Sequence, residues 1–485
     1  MKNYIDNFLK LKESKTLHFV SLRYIAYFIQ IINSIAIAKY LGVYAFGVYS
    51  FLNLVTQYLN YTNIGIYFSL NTILSVKKKN NDLSKKIWET SLGLNAIISI
   101  ILIVIGFVIS NTNIDTLDKY SFYKYSFLIF TIAVFYNFNI LFSNLFRVYG
   151  KLNQINFADF IGPFLIFCTV LYYNVELKVI HILIAILIKN IFSLLNFIYN
   201  TPLHLRFKIN SKLKWILILR GINLLLYNLS YAFILILARS IVSYFYSVED
   251  LGNFSLANSF SLNLIIAVGA FSFLFYPKMI YKFSEIKHNI NDSSDFVNEI
   301  QSVYVTAINF ISILSLMVIP IFTTYLPEYT DMASLFKILI VAQIFINSSY
   351  GYSIYLIANG KEIILTKIGF ISIASLGIIG CLCAILGFDI QLFSFTIIIC
   401  SFVYTSLIIY KVRLLLKLKN PLKFSEFSFR LVLPILLVLI SLSTKDDFVL
   451  ILLAVLFYLI FNIKQLLILF KKAGSLILKK NSFEF

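Results

Sequence analysis

Runs of roughly 20 apolar residues follow one another along almost the whole chain, separated only by short polar stretches. They begin near Leu17, Ala45, Ile87, Phe122, Asn156, Val179, Trp215, Leu251, Ile300, Met332, Ile363, Gln391, Phe429 and Phe448. Of 485 residues, 60% are hydrophobic and 13% charged, which is more apolar surface than one water-surrounded core can hide. Each run can cross about 30 Å of hydrocarbon as an α-helix, with its backbone polar groups satisfied internally. The sequence therefore predicts an all-α polytopic membrane protein with about fourteen transmembrane helices. No connection is large enough to be a soluble domain. The opening stretch MKNYIDNFLKLKESK leads into a run too long for the apolar core of a cleavable signal, so the first helix is expected to remain as a span.

The net charge is +19, and its placement decides its meaning. Lysine and arginine gather in alternate connections: the N-terminal segment, 77–86, 147–151, 204–214, 277–287, 359–362, 411–423 and the tail after Phe470. The connections between them, such as NTNIDTLDKY, SVED, LPEYTD and TKDD, are poor in both. By the positive-inside rule the basic set faces the cytoplasm, with both termini inside and an even number of spans. The excess cation is thus a topology signal with some attraction to anionic headgroups, and no nucleic-acid partner is expected. No phosphate loop, H-E-x-x-H, nucleophile elbow or D-x-D cluster occurs in a connection, so no enzyme, cofactor or catalytic residue is predicted. Cys168, Cys381, Cys383 and Cys400 all fall in apolar runs and the four histidines are scattered, so no metal site is expected either.

Two stretches echo each other. At an offset of 205 (252 less 47), Gly47, Ser50 and Asn53 align with Gly252, Ser255 and Asn258, and both stretches read [FL]-G-x-[YF]-S-[FL]-x-N. This predicts two six-helix lobes related by a parallel repeat, residues 1–209 and 210–415, with two additional helices and a cytoplasmic tail in 416–485. Chance similarity in apolar sequence is the competing explanation. Polar stripes support the repeat. Arg23, Tyr27, Gln30 and Ser34 share a face of the first helix, and Arg220, Asn223, Tyr227 and Tyr231 share a face of the seventh. Asn53, Gln57 and Asn60 continue the pattern on the second helix. Such groups would go unpaired in lipid, so they are expected to face protein or a water-filled cavity.

Among charged residues in the spans, Lys189 lies near the middle of the sixth helix, about 15 Å from either surface, too deep for easy snorkelling. The substrate-binding candidates are Arg23, Gln30, Lys189, Arg220, Asn223 and Tyr227. Lys39 and Arg239 flank loops on the opposite side and read as interfacial anchors, with an exit-path role as the alternative. Asp159, Glu89 and His181 begin spans and read as solvated or capping groups, with proton or sodium coupling as the alternative.

The pattern A-x-Y-L-G-x-x-x-F-G-x-Y-S at Ala38 to Ser50, after a short basic segment and a first span, resembles the Wzx-like polysaccharide (O-antigen/capsule) flippases of the multidrug/oligosaccharidyl-lipid/polysaccharide (MOP) exporter superfamily. The stretch E-D-L-G-N-F-S at 249–255 sits where that family's second lobe repeats the motif. The resemblance implies translocation of an undecaprenyl-diphosphate-linked oligosaccharide repeat unit for surface polysaccharide synthesis, with membrane lipids and other polysaccharide-assembly membrane proteins as further partners. Where that family often places an acid before an arginine on the seventh helix, this chain has Ala238 before Arg239. Three other readings are open at this point. A polysaccharide polymerase would be expected to carry a large outer loop with arginines, a drug or cation exporter of the same superfamily midplane carboxylates, and a non-transporting scaffold no polar stripes.

Overall fold

The computed structural model describes residues 15–77, 80–112, 115–286, 289–329, 331–417, 425–443 and 448–478. The N-terminal basic segment, part of the basic runs at 77–86 and 411–423, the TKDD connection and the end of the tail lie outside the described residues. Apart from two short 3-10 turns, the regular structure of the described residues is α-helical: α1 (Lys15–Asn60), α2 (Ile66–Lys77), α3 (Asn81–Ser110), α4 (Phe122–Val148), α5 (Leu152–Tyr173), α6 (Val179–Asn200), α7 (Ser211–Phe245), α8 (Val248–Glu285), α9 (Ile290–Leu316), α10 (Ile319–Tyr325), α11 (Met332–Asn347), α12 (Tyr350–Ala358), α13 (Glu362–Ile385), α14 (Ile390–Leu415), α15 (Ser425–Ser443) and α16 (Phe448–Leu478).

The first two apolar runs share α1, which breaks at Gly42 (φ 72°, ψ 171°), a backbone conformation that glycine adopts without the clash a Cβ would bring. The chain thus kinks between two helical segments with no loop. The run near Met332 is divided into α11 and α12, and the other runs each coincide with one helix. Short polar residues start several of these helices by accepting from otherwise orphaned N–H groups. Asn80 Oδ1 accepts from Leu83 N–H at 3.0 Å and Asp389 Oδ1 from Leu392 N–H at 2.8 Å. Among the described residues, nine helical stretches are long and apolar enough to cross a membrane, with shorter apolar stretches at Ala232–Phe245, Leu433–Leu442 and Ile451–Lys464. The molecule is an all-helical, multi-pass membrane protein.

Two compact units divide the fold. The first comprises the described residues of Lys12–Leu229 with Ser247–Gly252. Its core packs Trp88 and Leu92 of α3, Phe142 and Phe146 of α4 and Phe197 of α6. Trp88 meets Phe142 edge-on at 5.0 Å, and Phe142 stacks on Phe197 at 6.1 Å. Further along α3, Ile97, Ile100, Ile101, Val104 and Val108 are exposed, an apolar surface suited to lipid tails rather than water. The two echoing motifs meet within this unit. A Cβ at Gly47 would fall 2.0 Å from the carbonyl oxygen of Val248, and one at Gly252 would fall 2.7 Å from that of Val43. The shared glycines therefore mark a helix crossing at backbone distance.

The second unit comprises the described residues of Ser230–Tyr246 and of Asn253 onward. Its centre is α11, buried along nearly its whole length and packed by α9, α14 and α15. The span it begins is interrupted at Ser348 and Ser349. Gln301 of α9 spans the interruption, its Nε2 donating to the Ser348 carbonyl and its Oε1 accepting from Gly351 N–H at 3.1 Å. Thr405 Oγ1 donates to the Phe345 carbonyl at 2.6 Å. Non-helical backbone inside a membrane must find such partners within the protein.

Candidate functional site

In the first unit, three helices bring charge together: α1 carries Arg23, α5 carries Asp159 and α6 carries Lys189. Proline at position 163 determines the local geometry of α5. It has no N–H to donate to the carbonyl of Asp159, four residues earlier, so the helix lacks one backbone hydrogen bond there. Asn33 of α1 donates through Nδ2 to the Pro163 carbonyl at 2.8 Å, pinning α1 to α5 at this level. Nearly three turns before Asn33 on α1, Arg23 Nε lies 3.5 Å from Asp159 Oδ2. Both side chains are about one-third exposed, 32% and 39%. A pair of that exposure is worth only about 0.2–1 kcal/mol, so it can open without unfolding its surroundings.

Lys189 lies within electrostatic reach of the same carboxylate. Its stem lies across Gly162, where a Cβ would stand 3.0 Å from Cε and 3.1 Å from Cγ. The missing side chain at 162 leaves the bed for this lysine, and its charge acts on Asp159 as that of Arg23 does. Two cations and one anion leave the set with a formal charge of +1. Arg147, exposed at the end of α4, is within electrostatic reach of Arg23 and adds another cation. Tyrosines complete the surroundings: Tyr27 interacts with Arg23 and Asp159, and Tyr136 with Asp159 and Tyr61. Their hydroxyls can donate and accept hydrogen bonds.

Buried amides and a hydroxyl extend the polarity along α5 and α6. Asn156, one turn before Asp159, and Ser193, one turn after Lys189, are buried, and neither Asn156's amide nor Ser193's Oγ has a protein partner among the described residues. Such groups are where ordered water settles. Asp159 is partly exposed, as expected of it, and pairs in addition with Arg23. Glu89, given the same reading, is 7% exposed, with its Oε1 unpartnered among the described residues. His181 is a cap: its Nδ1 accepts from Lys178 N–H at 3.3 Å, and its ring stacks on Tyr173.

Of the candidate residues, Arg23 and Lys189 come together through Asp159. Gln30, Arg220, Asn223 and Lys39 are exposed, and the Arg220 guanidinium has no ion pair among the described residues. The side chain of Tyr227 lies outside the described residues. Arg239, expected at an interface, is instead only 6% exposed in the second unit. Apolar residues precede and follow it in its helix, and Ala238 beside it is fully buried. Sequence reasoning passed over Arg147 as a topology signal. The motif A-D-F-I-G-P, an acid followed within a turn by glycine and proline, was the available clue to Asp159.

The sequence matches no protein-family model and no curated protein. Solved structures do match. An inward-facing multidrug resistance MATE family transporter of the MOP superfamily aligns with TM-score 0.68 at 12% identity, covering 84% of this chain and 100% of that one. The lipid II flippase MurJ, in an inward closed conformation, aligns with TM-score 0.67 at 13% identity, covering 93% and 100%. The fold is that of MOP-superfamily transporters. A MOP superfamily transporter from Pyrococcus furiosus, described as having a binding pocket of reverse polarity, aligns with TM-score 0.58 at 14% identity, covering 83% of this chain and 95% of that one. These neighbours are transporters and a flippase rather than enzymes.

Proposed function

We propose that this chain is a flippase carrying undecaprenyl-diphosphate-linked oligosaccharide units across a bacterial plasma membrane by alternating access, for surface polysaccharide synthesis. The observation that carries the reading is the convergence of Arg23 and Lys189 on one carboxylate inside an otherwise apolar bundle. A diphosphate cannot cross about 30 Å of hydrocarbon unaided, because stripping water from charge is costly. A cationic, hydrated recess lowers that barrier while a polyprenyl tail stays in lipid. Arginine suits phosphate because its planar fork donates two parallel hydrogen bonds, and Tyr27, Tyr61 and Tyr136 supply hydroxyls for sugars. With both termini cytoplasmic, Arg147 stands at the cytoplasmic mouth. Arg220, Asn223 and Tyr227 form a second contact set on α7, and Lys39 and Arg239 lie toward the exit. The neighbour named as a lipid II flippase supports a lipid-linked substrate.

A cation or drug exporter is the second reading, favoured by the multidrug resistance neighbour and by a carboxylate, Asp159, within a span. The cluster's charge weighs against it, since a net positive site repels a cation. The deciding experiment is complementation of surface-polysaccharide production by Lys189→Ala. Translocation is expected to be abolished with protein abundance in the membrane intact. Full activity, or loss of the protein itself, would remove Lys189 from the site.

A further inference from the structure

Arg23 and Lys189 do not stand as bare cations. They act on Asp159 from two helices, Arg23 at 3.5 Å, with Tyr27 and Tyr136 also within electrostatic reach of the carboxylate. Three features of this arrangement matter. The two side chains are about one-third exposed although their facing atoms, Nε and Oδ2, are buried, so a competing anion can reach the outer atoms of the pair. The approach of Arg23 Nε to Asp159 Oδ2, at 3.5 Å, is longer than a charge-assisted hydrogen bond. Buried, unpartnered amide and hydroxyl groups of Asn156 and Ser193 lie within one turn, ready to hold water when the cluster rearranges.

We infer that Asp159 is the site's built-in counter-anion: it holds Arg23 and Lys189 in the empty site, and the diphosphate of a lipid-linked substrate displaces it from them. This rests on the flippase reading and deepens it. A cation pair without an internal carboxylate would bind a diphosphate tightly and release it slowly, because the charges would then have to separate with no replacement. Asp159 supplies that replacement, so entry and exit of the substrate become an exchange of one anion for another. Such an exchange makes binding weaker and turnover faster, which is what a carrier needs from a site that must empty on the far side.

The test uses the full-length protein in lipid nanodiscs with inorganic pyrophosphate as the probe, its affinity read by calorimetry at fixed ionic strength. Asp159→Asn should bind pyrophosphate about tenfold more tightly than the unmodified protein, a change of about 1.4 kcal/mol, while losing most of its complementation of polysaccharide production. Asp159→Ser should do the same, which keeps the test open if the asparagine variant fails to fold. Lys189→Ala should weaken binding. If Lys189→Ala weakens binding while both Asp159 variants bind no more tightly than the unmodified protein, the counter-anion idea is overturned and the anionic-substrate reading stands. If pyrophosphate binds none of the proteins, both fall together.

Discussion

Lys189 and Lys337 are both lysines in apolar helices of a membrane protein, one in each compact unit, and their surroundings give them opposite roles. Lys337 is 3% exposed, and its ammonium donates to the Ser441 carbonyl at 2.6 Å. That carbonyl belongs to the last turn of α15, where unsatisfied backbone oxygens and the negative end of the helix dipole both favour a cation. The lysine thereby ties α15 to α11. Lys189 is half-buried, has its stem over Gly162, and faces a carboxylate that Arg23 already contacts. A lysine satisfied by backbone belongs to the architecture, because backbone cannot leave. When the partner is a half-exposed side chain, an incoming anion can replace it.

The comparison can be broken by substitution. The largest effect is expected from Lys337→Ala, which truncates a large buried side chain and strands the Ser441 carbonyl. A cost of about 2–5 kcal/mol should appear as loss of folded protein in fluorescence-detected size-exclusion chromatography. Lys189→Ala should leave that profile unchanged. Equal loss of folded protein from both would erase the distinction between the two lysines.

A smaller effect is expected at Gly162. Placing alanine there puts a methyl group against the Lys189 stem yet favours the helix by up to about 1 kcal/mol. Gly162→Ala should therefore lower translocation several-fold while abundance holds or rises, and Gly162→Val should lower it further. Complementation at wild-type level by both variants would mean that the lysine's position does not matter.

The smallest effect concerns the arginines. Arg23→Lys keeps the charge but loses the planar fork, so it should retain part of the activity, within a few-fold of the unmodified protein. The same loss is expected of Arg220→Lys if α7 supplies the second contact set. Wild-type complementation by Arg220→Lys beside a deficient Arg23→Lys would confine the phosphate contacts to the first unit.

Much of the architecture was legible because hydropathy is local. The fourteen apolar runs all fell in helices, two of them in α1, and the A-K-Y-L-G motif marked the kink at Gly42, where a positive φ interrupts α1. The echo of that motif at 249–255 was legible as similarity, but its meaning as a backbone-distance crossing of Gly47 with Val248 was not. The split of one span at Ser348 falls in the polar stretch Asn347-Ser348-Ser349, but the partner that bridges it, Gln301, comes from a different helix and was not legible.

By itself the sequence determined what depends on neighbours along the chain: the all-helical class and the positions of the apolar helices. Tertiary structure alone decided which polar groups meet. Arg23, Asp159 and Lys189 stand on three helices, and their meeting depends on how α1, α5 and α6 are rotated and pinned, through Pro163, Asn33 and the open bed at Gly162. Helical periodicity assigns a residue to a face without saying which other helix that face will meet. For the same reason Lys337 and Lys189 look alike in sequence and differ in the fold: a charge in an apolar run must find a partner, and only packing supplies one.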